Sequence, residues 1–212
     1  MASDRWVWDP AVKRFRDTDT GRLVRADTIR SLRDRFVESQ EATVGELAGA
    51  LARDEITLQQ WEASFRQLIL RTLTAEYLLG RGGRQAMTQR DWGTIGALAK
   101  AQYEFAREFA ADLVAGKLET ADDVGGRMAM YVGAAREAHE IGRSEAYGMP
   151  RLPAYPCDGG TPCLTGCKCS WSITETTTEW RATWRLGAAQ QHCPGCSSRA
   201  VAYAPHVMTK GA

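Results

Sequence analysis

The chain has 212 residues, is 44% hydrophobic and 25% charged, and carries a formal net charge of +1. That length holds one ordinary core, or a helical domain with a small satellite, and near-neutrality excludes whole-molecule attraction to DNA or anionic membranes. No apolar run is long enough to cross a bilayer and Met1-Ala-Ser-Asp lacks the basic start and apolar core of a secretory signal, so we expect synthesis in a cytosol, where the six cysteines point to metal before disulfides.

Residues 1–26 read as an N-terminal β-hairpin arm. Val12-Lys-Arg-Phe15-Arg-Asp, Asp19-Thr-Gly21 and Arg22-Leu23-Val24 predict extended segments that turn at Gly21. Such an arm has little core of its own. With Trp6, Trp8 and Phe15 it presents apolar surface that must be covered by a neighbouring element or another subunit.

Residues 27–148 read as a helical domain. Four stripes step by three or four: Ile29, Leu32, Phe36, Thr43 and Leu47; then Trp61, Phe65, Leu68, Thr72, Ala75 and Leu79; then Trp92, Ile95, Ala99, Tyr103, Ala106 and Leu113; then Val124, Met128, Tyr131, Ala135, Ala138 and Gly142. Thr57 with Gln60, Thr88 with Asp91 and Thr120 with Asp123 predict capping boxes at three helix starts. Gly80-Arg-Gly-Gly83-Arg84 reads as a helix stop, since a phosphate loop would need a preceding strand and a following lysine. The fold class is therefore mainly α: a four-helix bundle or long helical hairpins, joined by short connections. Glycines inside the last two helices imply either close helix approach or flexibility.

Residues 149–212 read as a small, zinc-ribbon-like β domain. The prolines of Met149-Pro-Arg-Leu-Pro-Ala-Tyr-Pro156 make a semi-rigid linker. Beyond it, Trp171 and Ile173, then Trp180, Ala182, Trp184 and Leu186, alternate over two strands. Cys163-Leu-Thr-Gly-Cys167-Lys-Cys169 and His192-Cys193-Pro-Gly-Cys196 bracket this hairpin, a spacing that can bring four ligands to one tetrahedral zinc. Cys163, Cys193 and Cys196 rank first, with Cys167, Cys169 or both completing the site and Cys157 and His192 in reserve. Free thiols, or a disulfide in an oxidised particle, are the bland alternative. A thiolate-rich shell is of the structural type. Asp158, Glu175 and Glu179 are not fixed near it by sequence, so a metallohydrolase ranks third.

A zinc ribbon that contacts DNA ranks second, although Lys168, Arg181, Arg185 and Arg199 are a thin footprint for phosphates. His139, beside Glu137 and Glu140, reads as a surface or satisfied histidine. Trp6, Trp8, Phe15, Trp180 and Trp184 are candidate interface anchors, or equally fillers of the chain's own core.

Several segments together resemble the minor head, or head-morphogenesis, proteins of tailed bacteriophages related to the Mu F family. They are Arg14-Phe15-Arg16-Asp17 with Thr20-Gly21-Arg22, Leu79-Gly-Arg-Gly-Gly83 with Met87-Thr-Gln-Arg-Asp-Trp92-Gly93, and Tyr131 with Ala134-Ala135. The tail carries more: Leu152-Pro-Ala-Tyr-Pro156, Asp158-Gly159, Cys163 through Trp171, Trp184-Arg-Leu-Gly187 and His192 through Cys196. Cys157 stands where such proteins commonly show glycine, and Gly166 where asparagine is common. The resemblance implies a non-enzymatic virion or assembly role, in several copies, with portal, major capsid or neck proteins as partners and no membrane contact.

Overall fold

The computed structural model describes residues 5–118, 120–163, 166–188 and 191–210. The stretch 1–4 and residues 164–165 of the first cysteine cluster, both used in the sequence reading, lie outside them. Four long helices dominate: α1 (Ala26–Ala52), α2 (Leu58–Arg81), α3 (Gln89–Val114) and α4 (Ala121–Ala146). An N-terminal hairpin and a C-terminal β lobe complete the mainly helical fold that the periodicity predicts. No helix among the described residues is long and apolar enough to cross a membrane.

All three capping boxes form, each threonine side chain accepting the backbone N–H three residues on while that residue's side chain accepts from the threonine backbone. Helix α1 begins at Arg25 without a side-chain cap. Helix α2 stops at Gly82, whose left-handed φ of 99° lets its own N–H and that of Gly83 reach the Leu78 carbonyl at 3.1 and 2.9 Å.

Side-chain pairs fix the helix directions. Tyr77 donates to Asp91 at 2.7 Å and Tyr103 to the Arg66 carbonyl at 3.2 Å, which sets α3 antiparallel to α2. Arg127 reaches Asp112 at 2.6 Å across α4 and α3, and Arg33 of α1 reaches Glu76 of α2 at 2.6 Å. The diagonal pair α2 and α4 therefore run parallel, and they approach until backbone meets backbone. A Cβ on Gly142 would lie 2.5 Å from the Tyr77 carbonyl oxygen, and one on Gly80 would collide with the His139 carbonyl. Close packing is what these two glycines serve. Trp61, Phe65, Phe109 and Tyr131 fill the bundle centre, with ring centroids 5.1 Å apart for Trp61–Phe65 and 4.9 Å for Phe65–Tyr131.

The stripe expected on α4 is buried throughout, but two others shift. On α1 the fully buried residues are Gln40, Val44 and Ala48, while Ile29, Leu32, Phe36 and Leu47 are only half-buried, because this helix covers the bundle from one side. On α3 Trp92 is exposed beneath the Arg84 guanidinium, and Phe109 takes the core position instead. His139, with a side chain 13% exposed, is a largely buried histidine whose Nδ1 lies 3.3 Å from the Glu76 carbonyl oxygen.

The arm contains β1 (Trp6–Asp9) paired antiparallel with β2 (Arg14–Asp17). The first hairpin turn thus falls between Asp9 and Arg14, ahead of the one expected at Gly21. That second turn also forms, with Gly21 at φ 69° and Leu23 bridging Arg16. The arm lies on the chain's own body: Trp8 N–H donates to the Gly82 carbonyl at 2.9 Å and its ring sits 5.3 Å from Tyr147. Trp6 Nε1 donates to Asp17, and Phe15 packs edge-on to Trp8.

The lobe is a three-stranded antiparallel sheet in the order β3 (Ser170–Glu175), β4 (Glu179–Arg185), β5 (His206–Thr209), with α5 (Pro194–Ala202) between β4 and β5. Strand β5 and helix α5 go beyond the expected hairpin. Trp171 faces Trp184 across the strands and both are fully buried, so Trp184 is a core residue and not an interface anchor. Trp180 Nε1 donates to the Tyr147 carbonyl at 3.1 Å and docks the sheet on the end of α4. Nor is the proline segment a free linker: Leu152, Ala154 and Tyr155 are buried, and the Trp171 indole donates to the Ala154 carbonyl at 2.9 Å.

Two predictions follow from this packing. Gly142→Ala pushes a methyl into the α2 backbone and should destabilise by about 1–3 kcal/mol, whereas Gly126→Ala, where a Cβ meets nothing within 4 Å, should stabilise by roughly 0.5–1 kcal/mol; urea titration of both reads the contrast. The Glu137 carboxyl is pushed up to about 7, first by burial and then by Asp158, with Arg151 opposing. A proton held more tightly in the folded state gives stability that is complete below the ordinary value of 4.5 and is lost as pH rises through 7. Relative to the parent, Glu137→Gln should therefore be the more stable protein at about pH 8, with the difference shrinking as the pH falls towards 4.5.

Candidate metal centre

The second cysteine cluster is shaped by a helix start. Cys193 caps α5, Pro194 occupies the first turn where its missing N–H costs nothing, and Cys193 Sγ accepts the Cys196 N–H at 3.3 Å. That amide is the leading reason the Cys193 thiol falls to about 7. In the first cluster the Gly166 N–H closes a turn onto the Cys163 carbonyl at 2.9 Å, which folds Cys163 back towards Cys167 and Cys169.

The two clusters meet around Cys196, which is 2% exposed. Its sulfur lies 3.5 Å from Cys163 and 3.6 Å from Cys167, and Cys193 lies 3.5 Å from Cys163. These separations are far beyond a disulfide bond. They are close to the edge of a tetrahedron of sulfurs around zinc, about 3.8 Å for a Zn–S bond near 2.3 Å. Two triads share the central residue: Cys163, Cys193 and Cys196, and Cys167, Cys169 and Cys196, the ligand atoms of each lying within 4.8 Å of one another. The five principal cysteines of the sequence reading are thus brought together, and they can hold a metal ion. Among the described residues, the groups with such geometry contain cysteine alone.

The two reserve ligands stand outside both triads. His192 is half-buried beside Cys193. Cys157 donates its S–H to the Cys167 carbonyl at 3.4 Å, and its thiol is pushed up, chiefly by its contact with the Cys167 sulfur and then by burial. Its φ of 66° lies in the left-handed region that glycine occupies without strain.

Residues that the sequence reading did not tie to the cysteines hold the centre against the bundle. Arg136 of α4 donates to the Cys169 carbonyl at 3.1 Å and to the Lys168 carbonyl at 3.4 Å. One turn on, buried Glu140 accepts from Arg143 at 2.9 Å and from the Trp171 N–H at 3.4 Å, while Arg143 also donates to the Trp171 carbonyl at 3.1 Å. Positions 136, 140 and 143 share one helix face, a spacing readable in sequence, but what that face meets is set by the tertiary fold. On the far side Arg199 pairs with Asp158 at 3.0 Å and lies over the Trp184 ring, in space left by the missing side chain of Gly160.

Comparison of the chain with protein-family models, curated proteins and solved structures finds no match.

Because Cys196 belongs to both triads, Cys196→Ser should lose bound metal and melt the lobe while most helical circular dichroism persists. Cys157→Gly should keep the metal and remove backbone strain. Metal analysis of the two purified variants, beside thermal melts, checks both outcomes.

Proposed function

We propose that this chain is a non-enzymatic structural or assembly protein of a tailed-phage particle, docking on portal, major capsid or neck protein. The observation that carries this reading is the closure of the two tail motifs, Cys163 to Cys169 and Cys193 to Cys196, into one partly buried sulfur site fastened to α4. These are the motifs that resemble head-morphogenesis proteins most specifically. A thiolate-only donor set suits zinc in a structural role, since catalytic zinc keeps an open position among mixed ligands. We assign Cys163, Cys167, Cys193 and Cys196 as the four ligands, because the Cys167 sulfur lies 3.6 Å from Cys196, near a tetrahedral edge, and hold Cys169 in reserve.

The arm lies mostly on its own helices, which moves the candidate docking surface elsewhere. Along α3, Phe105 is 57% exposed and Val114 75%, with Trp92 also reaching solvent. Helical spacing sets Phe105 on the opposite side of α3 from Trp92 and Val114, so Phe105 is the single anchor that a partner's apolar pocket would take.

Co-expression with the portal, major capsid and neck proteins of the same phage tests the reading. At least one should co-purify at fixed stoichiometry, and Phe105→Glu should abolish capture without changing the melting temperature. A chain that binds none of the three and leaves particle assembly unchanged when deleted would overturn the proposal. Retention on DNA that falls steeply with salt would favour the zinc-ribbon, nucleic-acid reading.

A further inference from the structure

A cavity of about 550 Å³ lies between the arm, α1, α4 and β3. Its volume is within the range of small-molecule sites. One part of the wall is apolar, formed by Phe15, Ile29, Leu79 and Ile173 with Trp8 and Trp171. The other part is cationic.

Lys13, Arg14, Arg30, Arg33, Arg136 and Arg143 all line it. Three of these charges are matched: Lys13 by Glu175 at 2.5 Å, Arg33 by Glu76 at 2.6 Å and Arg143 by Glu140 at 2.9 Å. Arg14, Arg30 and Arg136 have no carboxylate within salt-bridge distance among the described residues. Arg14 reaches only the Val24 carbonyl at 3.4 Å, and Arg136 the carbonyls of Cys169 and Lys168. Asp34 is the one further acid in the wall, so an excess of about two positive charges remains. His139 adds none, because burial first, and then the guanidiniums of Arg33, Arg143 and Arg136, hold its imidazole neutral.

Three guanidiniums from three separate elements, β2, α1 and α4, thus line one space with no carboxylate in direct contact among the described residues. Like charges gathered along a partly open wall repel one another, and an anion that joins them relieves the repulsion. Guanidinium forks match phosphate oxygens in shape, and a phosphate supplies the nearly double charge that a single carboxylate does not. The apolar half of the wall then accommodates an organic group.

We propose that this cavity is a binding site for a small organic phosphate of the nucleoside-phosphate class, its phosphates held by Arg14, Arg30 and Arg136 and its organic part set against Phe15, Ile29 and Ile173. The proposal does not rest on the assembly role, and the cavity shares only Arg136 with the supports of the cysteine carbonyls.

Titration calorimetry at low ionic strength, with ADP and inorganic pyrophosphate as probes, tests this on the full chain. ADP should bind with one-to-one stoichiometry and more tightly than pyrophosphate. The double variant Arg14→Ala/Arg30→Ala should weaken ADP binding by roughly tenfold or more, as expected for losing two charge-assisted contacts. Both arginines are exposed, so the variant should keep the parent's melting temperature and metal content. Arg136 is left intact because it also supports the lobe. Equal affinity for pyrophosphate and ADP would overturn the organic half of the proposal. No heat from either probe, or ADP binding that the double variant leaves unchanged, would overturn the site. Binding of a single-stranded oligonucleotide in place of ADP would reassign the surface to nucleic acid.

Discussion

Everything beyond residue 149 depends on one constraint, the gathering of four cysteine sulfurs around that of Cys196. The lobe consists of a three-stranded sheet, a nine-residue helix and a packed proline segment. Its buried aromatics, Trp171, Trp184 and Tyr155, are too few to order a unit of this size by area alone, and domains this small commonly need a staple. These sulfurs can hold a metal ion, and a cation among them would act as such a staple and relieve the repulsion of ionised thiolates.

The staple acts on the whole molecule because it is fastened to α4, and α4 is fastened to α2 by backbone contact at Gly142 and Gly80. Arg136 belongs to both neighbourhoods. Its guanidinium supports the carbonyls of Lys168 and Cys169 on one side and lines the cationic cavity on the other. Glu140 and Arg143 likewise tie β3 to the bundle and stand in the cavity wall. Helix α4 is thus the spine on which the sulfur site and the cavity are separately built.

The parts legible in the sequence are those written by local chemistry. The threonine caps mark three helix starts because a cap is satisfied within four residues, and Gly82 marks a stop because only its own backbone angle is needed. The cysteine spacing is equally local, since each cluster closes its own turn. What escaped reading is set at long range. Glu76 is buried because Arg33, 43 residues away, lies against it at 2.6 Å, and no periodicity announces a charged residue on a core face. Strand β5 is four residues long and gains its place only by pairing with β4. The α1 stripe misled because a helix that packs on one flank buries a narrower face, here marked by Gln40, Val44 and Ala48.

The arm shows how the same tryptophans can read as anchors for a partner and yet serve the chain itself. Trp8 fits where Gly82 has no side chain: a Cβ there would strike the indole's own Cβ, and the β1 backbone bonds to the Gly82 carbonyl at that point. The helix stop after α2 is therefore also the seat of the arm, so one glycine ends a helix and admits a strand. Lys13, in the turn of the arm, pairs with Glu175 of β3, which Lys210 also contacts from the end of the chain. The beginning and the end of the chain thus converge on one strand of the metal lobe. That convergence sets Lys13 in the wall of the cationic cavity, between the arm and β3.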